Sequence, residues 1–480
     1  YGSELVTNGG FDTDSNWTKG TGWTIANGKA TQSGGTGQLS QSISISTGVV
    51  CKFTFTATIQ SGTLRISAGV SAPVQDFTES GTHTFNLAFA GNTVLYFLGT
   101  SSSFSGSIDS ISIKEITGDR ARLNYEIEGG LVNTKPSLLL EPQSTNLITY
   151  SNNVIDSGNV YSNMSGLINQ VTSPEGVINA GALIENTANT DHYFQRGLAA
   201  ISSSNYYTVS FFAKYNGRGA SVNIGASRLY AHFDLQAGTV IASGNNSDWQ
   251  NLSTDIINYG NGWYKCVLTG QSVTGVAGYI RVHTNNGITS SYTSSYTGDG
   301  KSGIFIYGIQ FEQQAYCTSY IPTNGSTQTR AAETCNGAGT SSILPSEEGI
   351  LYGEFAALAN DETFRLFSLS NGTSANRVYL GFGSGSNTIW CSVSNSNVGQ
   401  AAIIHTISDV KLFNKAAIRF KANDVQLYVN GVQVGTDTSA TIPSDFSSVQ
   451  FNSGSGSSAV YGKIRDIRVY NTKEMTDSEV

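Results

Sequence analysis

From Cys51 to Ile59 the chain reads CKFTFTATI, with Cys51, Phe53, Phe55, Ala57 and Ile59 on one side of an extended backbone and Lys52, Thr54, Thr56 and Thr58 on the other. Successive side chains of a strand point to opposite faces, so a period of two marks a strand with one face buried. The alternation returns at short intervals. LSQSISIS, TLRISAGV, HTFNLAFA and TVLYFLGT precede residue 116. YYTVSFFAKY, ASVNIGA, YAHFDL, WYKCVLTG and GYIRVHT follow, then GILYGEFAAL, FRLFSLSN, NRVYLGFG, TIWCSVSN and KIRDIRVYN. Within QLYVNGVQV, Asn430–Gly431 is the residue pair of a tight hairpin turn. Many short strands separated by Gly, Asn and Ser predict sandwiches.

These runs fall into three groups. The expected fold is all-β, with three tandem β-sandwich (jelly-roll/lectin-like) domains at 1–116, 137–335 and 342–480. Residues 117–136 are the connector; RLNYEIEGGLVNTKP within it predicts a hairpin or docking strand. At the far end, Thr476 and Glu479 have the spacing of a capping box, so NTKEMTDSEV predicts the start of a helix.

Composition supports this picture. A chain of 480 residues is too long for one core. Its 54 glycines and its charged fraction of only 12% suit loop-rich sandwiches, and 23 Tyr with 22 Phe argue against disorder. Net charge is −8 with no Lys/Arg-rich run, which lacks the electrostatic footprint of a nucleic-acid binder. No stretch approaches the roughly 18 apolar residues of a membrane helix, so no membrane insertion is expected. The sequence starts at Tyr1 without a signal-peptide pattern, as expected if processing or an upstream stretch precedes it.

The search for reaction chemistry is mostly negative. Cys51, Cys266, Cys317, Cys335 and Cys391 contain no C-x-x-C pair, which removes zinc and thioredoxin-like readings. Cys51 and Cys266 lie in apolar runs and are expected to be buried thiols. Cys317 and Cys335 flank a loop and could pair, but a bacterial cytoplasm would keep them reduced. His83, His192, His232, His283 and His405 are scattered, with no H-E-x-x-H or H-x-H, and G-x-S-x-G is absent. The strand pattern E-x-D-x-x-E of sandwich glycosidases is also absent. Glu347–Glu348 and Asp361–Glu362 are adjacent pairs, which would face opposite ways in an extended segment. GDGKSG at 298–303 precedes a strand instead of opening a helix, so it is a loop. A non-enzymatic protein is expected, although a Tyr/His lyase would leave no strong local spacing to find.

Several segments resemble known families. ELVTNGGF opens and SGSIDSISIKEI closes the first group, and this unit resembles the family 4/9 carbohydrate-binding modules. That resemblance implies a structural calcium held by Glu4 and Asp109, with Asn8 nearby. NLITYSNN and IFIYGIQFEQ take the same places in the second group. There Asn146 stands for Glu4 and Gly308 for Asp109, so no equivalent calcium site is implied. The third group, with AAIRFKANDVQLYVNG and GKIRDIRVY, resembles the laminin-G-like, concanavalin-type sandwich.

SLLLEPQSTNLITYS, Ser137–Ser151, and YGIQFEQQAYCTSYIPTNGSTQTR, Tyr307–Arg330, resemble the opening and closing segments of a module in structural proteins of tailed bacteriophages. This implies a virion surface protein, a decoration, head-fibre or tail-fibre component, whose partners are glycans and other virion proteins, and which is often a trimer. The alternative is a secreted, extracellular bacterial carbohydrate-binding protein, or the accessory region of a polysaccharide-degrading enzyme. Sugar binding would use exposed rings. Trp17 in DSNWTKG and Tyr292 and Tyr296 in SYTSSYTGDG are the candidates, whereas Trp23, Trp263 and Trp390 are expected in cores.

Overall fold

The protein was described from a computed structural model covering residues 2–46, 49–70, 74–115, 122–128, 131–155, 158–225, 229–275, 278–287 and 295–473. The expected helix near Thr476 and the candidate Tyr292 lie outside the described residues. All regular structure among the described residues is β. The chain forms two compact units. One holds residues 1–118 and 144–330, and the other holds 119–143 and 331–480.

The first sandwich is built on two long strands, Val50–Ala68 and Val94–Glu115. The first half of Val50–Ala68 also pairs with Gly81–Ala88 and its second half with Val74–Phe77, while Val94–Glu115 runs beside both halves, so one hydrogen-bonded sheet runs through both layers. The alternation at Cys51–Ile59 behaves as expected: Cys51, Phe53, Phe55 and Ala57 are buried. Phe55 meets Phe77, Phe85 and Phe97 at centroid distances of 5.1, 6.3 and 5.8 Å, all edge-on, the arrangement that aromatic quadrupoles favour.

The second sandwich has two six-stranded sheets. One runs Met164–Thr172, Ile178–Glu185, Gly303–Glu312, Tyr206–Asn216, Trp263–Ser272 and Trp249–Asn258 in spatial order. The other runs Asn159–Ser162, Tyr193–Gly197, Tyr279–Asn285, Gly219–Ile224, Leu229–Asp234 and Thr239–Gly244. Between them lies an aliphatic and aromatic core that includes Val209, Phe211, Val222, Phe233, Ile280 and Phe311.

The repeat between these two sandwiches extends to individual hydrogen bonds. Leu5 N donates to Ile113 O and Ile111 N to Gly9 O; Leu147 N donates to Phe311 O and Ile309 N to Ser151 O. The Glu4 carboxylate accepts from Val6 N and Ile113 N; the Asn146 amide oxygen accepts from Ile148 N and Phe311 N. This register matches Asn146 to Glu4, as expected. It matches Gly308 to Ser110, however, and not to Asp109. Both positions have left-handed backbone, φ 61° and 54°, and both sit in a bulge of the closing strand.

The C-terminal unit is a sandwich of a five-stranded and a seven-stranded sheet around Leu351, Phe355, Phe367, Leu380, Ile418 and Leu427. Asn430 and Gly431 have φ 50° and 86° and make the expected hairpin turn. The expected domain start at 137 does not coincide with the division of the chain. Ser137–Leu140 pairs with Gly462–Asn471, and Arg122–Asn124 pairs on its other side, so both extend the C-terminal seven-stranded sheet. Arg122 fastens this edge, since its guanidinium bridges the buried carboxylates of Glu141 and Glu333. Elsewhere in the connector, Ile127–Glu128 pairs antiparallel with Leu131–Val132.

Candidate functional site

Several sequence candidates turn out to be structural. Trp17 is 7% exposed, its ring 5.3 Å from Phe11 and 6.1 Å from Phe97, and its Nε1 donates to Asn8 O. A ring this enclosed offers no face to a pyranose. Tyr296 is buried too. Its hydroxyl donates to Glu185 and bonds Thr284 Oγ1, and the Arg218 guanidinium lies over its ring. Burial, reinforced by Glu185, pushes the Tyr296 hydroxyl above the usual tyrosine range. Trp390 departs from expectation the other way. It is half-buried on an outer face, against Phe364 and Tyr379.

The implied calcium ligands do not converge. Glu4 Oε1 accepts from Leu5 N, Val6 N and Ile113 N, and Oε2 accepts from Ser112 Oγ at 2.6 Å. The carboxylate is thus already satisfied as a clasp on the closing strand. Asp109 lies three to four residues before those partners, ~10 Å along a strand, and accepts from its neighbour Ser110 N. Asn8 turns into its own loop, donating to Thr13 O and Ser15 O. Among the described residues no three His, Cys, Asp or Glu side chains cluster as a metal site.

The long segment 307–330 also resolves into packing. Glu312 is 0% exposed, and its two oxygens accept from Ser144 Oγ, Thr318 Oγ1, Thr318 N and Gln310 Nε2. Gln310 Oε1 accepts from Ile321 N, and Arg330 Nη1 donates to Ser319 O. Lys265 Nζ reaches Thr318 O, and Tyr320 joins Phe212, Trp263 and Tyr307 in a small second core. Residues 313–330 therefore fold across the outer face of the first six-stranded sheet of this sandwich. The motif is a polar clasp in which Glu312, Gln310, Thr318 and Arg330 find partners.

The other sheet's outer face has a different character. Cross-strand register lines up Ser162, Tyr193, His283, Ser221 and His232 in one row, and Val160, Gln195, Arg281, Asn223 and Tyr230 in the next. The outward side of a sandwich sheet is ordinarily solvated. Here His283, Ser221, Asn223 and His232 are at most 3% exposed, whereas Tyr193, Gln195, Arg281 and Tyr230 are half-buried. His283 Nε2 bonds Asn223 Oδ1 at 2.8 Å, and His232 Nδ1 bonds Ser221 Oγ at 2.5 Å. Burial, then the charges of Arg281 and His232, holds His283 down to about 3, so it is neutral at pH 7 and leaves Nδ1 without a partner among the described residues. Tyr230 lies across Gly244, where an added Cβ would come within 2.8 Å of its hydroxyl. The result is a buried row of imidazole, amide and hydroxyl groups that supports the half-buried Tyr193, Gln195, Arg281 and Tyr230, and these four are the polar and ring groups this face offers to a polyhydroxylated ligand. Its members come from four strands, and no local motif announces them. A shallow hollow of about 520 Å³ lies elsewhere in this sandwich, lined by Thr172, Pro174, Lys214, Tyr259, Asn261 and Trp263.

Comparison with known proteins finds a family match for one part of the chain. Residues 355–480 match the concanavalin A-like lectin/glucanases superfamily, in its laminin G form. No curated protein sequence matches the chain. Among solved structures, the tandem CBM22-1–CBM22-2 domain of Paenibacillus barcinonensis Xyn10C is 11% identical over 65% of this chain and 98% of that one, with a TM-score of 0.23. The LG1–3 region of the laminin α2 chain is 9% identical over 90% and 95%, with a TM-score of 0.15. The C-terminal sandwich is thus similar to concanavalin-type lectin domains, within an all-β chain of jelly-roll and lectin-like sandwiches.

Proposed function

We propose that this protein is a non-catalytic glycan-binding surface protein of a tailed-phage particle, a decoration, head-fibre or tail-fibre component. The observation that carries the binding role is the polar, aromatic outer face of the second sandwich. The clasp segment occupies the opposite sheet, and the residues of this face are held in place before any ligand arrives, which reduces the ordering cost of binding. The phage assignment rests on the resemblance of Ser137–Ser151 and Tyr307–Arg330 to phage structural modules. Repeated copies on a particle would turn weak single sites into strong attachment. The non-catalytic reading is supported by the carboxylates of the C-terminal sandwich. Glu354 and Asp466 face each other across paired strands, but Arg465 lies 3.8 Å from the first and Arg468 2.7 Å from the second.

The second reading is a secreted bacterial carbohydrate-binding protein or an enzyme's accessory region, favoured by the lectin/glucanase match of residues 355–480. A glycan array with the purified chain tests the shared part of both readings. Binding without product release is expected, and Tyr230→Ala should weaken it at least about tenfold while leaving the melting temperature in place. Chelator should leave binding unchanged, because Glu4 is engaged by protein donors. Absence of any glycan binding would reduce the protein to a structural role. Mass spectrometry of phage particles carrying this sequence separates the two readings; its absence from particles would defeat the first.

A further inference from the structure

We propose that the outer face of the second sandwich selects acidic saccharides, with Arg281 receiving the carboxylate of a uronic acid. This rests on the reading of that face as a glycan site.

The argument starts from how Arg281 is held. Its guanidinium carbon lies 4.4 Å from the centre of the Tyr193 ring and 4.9 Å from that of Tyr279. Its Nε donates to Gln195 Oε1 at 2.7 Å. Three neighbours therefore fix a side chain that is ordinarily among the most mobile. With Nε committed, the fork of Nη1 and Nη2 is the end left to donate, and a paired fork is the geometry that binds a carboxylate bidentately.

Arg281 also forms no ion pair with a described carboxylate. Arg65, Arg218 and Arg468 pair with Asp76, Glu185 and Asp466. Asp191 is the carboxylate nearest in charge effect: burial raises it and the Arg281 charge opposes that rise, but the two make no ion pair. His283, in the adjacent row, is neutral and adds no charge. A cation on a half-buried face has lost part of its hydration, so an incoming anion is bound more strongly than in open water.

The aromatic residues point the same way. Tyr193 and Tyr279 spend a ring face on the guanidinium, so they serve the cation and not a pyranose. Tyr230, half-buried over Gly244, remains as a stacking ring. One anion contact beside one ring matches a uronate residue in a polysaccharide. The net charge of −8 makes non-specific attraction of a polyanion an inadequate explanation of such a preference.

The test is calorimetric titration of the full chain with polygalacturonate, with the same polymer after carboxyl reduction, and with a sulfated dextran. Polygalacturonate should bind at least about tenfold tighter than its reduced form, with the gap narrowing as salt rises. Arg281→Gln should erase the gap, and Arg281→Lys should restore part of it. Equal affinity for the charged and reduced polymers overturns the proposal while sparing the glycan-binding reading. Binding of the sulfated polymer alone overturns the carboxylate assignment. No binding of any polymer, in this assay and on an array, overturns both. The comparison of polymers on the unaltered protein stands even if a variant fails to fold.

Discussion

Two buried residues of the second sandwich show how the same loss of water leads to different outcomes. Glu312 keeps a carboxylate at zero exposure because four donors from Ser144, Gln310 and Thr318 surround it. Removing it strands those donors, and each unsatisfied buried group costs about 1–3 kcal/mol. Glu312→Ala should therefore lower stability by about 3 kcal/mol in denaturant unfolding; a loss below about 1 kcal/mol would mean the clasp is not holding the closing segment. His283 has one hydrogen bond and stays neutral. Its folded value of about 3 lies below the ordinary 6.5, so between those limits the unfolded chain binds the extra proton. Stability then falls as pH drops from 6.5 toward 3, and this group contributes no slope above 6.5. His283→Gln should flatten the decline of melting temperature across that window. An unchanged slope would show that other groups carry the acid sensitivity. The same logic keeps the thiols quiet. Burial pushes Cys51 and Cys391 up to about 12 and Cys266 well up, so thiolate-specific reagents should leave all three untouched until the chain unfolds.

At the scale of elements, the two jelly rolls share a bulge in their closing strands, but with different residues at the left-handed position. Gly308 adopts φ 61° without strain, and an added Cβ would sit 3.2 Å from Phe212. Ser110 holds φ 54° with a side chain attached. Left-handed backbone costs a non-glycine residue about 1 kcal/mol. Gly308→Ser should accordingly destabilise by about 1–2 kcal/mol, and Ser110→Gly should be neutral or stabilising. Equal effects of the two swaps would mean that the bulges are not equivalent. The opening and closing segments were recognisable in the sequence because the clasp needs particular residues at fixed spacings. Glu4 and Asn146 stand at the same point of ELVTNGGF and NLITYSNN, and both cap the closing strand. The resemblance that implied calcium at Glu4 had found this position, where protein donors engage the carboxylate.

For the molecule as a whole, the seam between units lies where local sequence gives no sign of it. Ser137–Leu140 is apolar and extended in any reading, yet it completes the C-terminal sheet instead of opening the second sandwich. A recombinant piece spanning 331–480 should leave the edge of Gly462–Asn471 unpaired and be prone to associate, because an open strand edge invites pairing. Supplying 119–143 by fusion should restore a monodisperse, cooperatively melting domain. If 331–480 alone is monodisperse and melts as high as the fusion, those strands are dispensable.

Much was settled by residues acting on their neighbours. Alternation along each strand, the Asn430–Gly431 turn and the Gly- and Asn-rich breaks depend only on backbone geometry within a few residues, so the all-β fold and the paired jelly-roll segments could be read directly. Exposure and partnership could not. Trp17 and Tyr296 sit in polar stretches but pack inside, because burial is decided by the segments that fold over them. Tyr193, Arg281, Asn223 and His283 share one face only because antiparallel register brings distant strands side by side. The choice of sheet for Ser137–Leu140, and the meeting of Arg281 with two tyrosine rings, belong to long-range packing, which a strand's own pattern leaves open because every strand edge can pair with any other of matching shape.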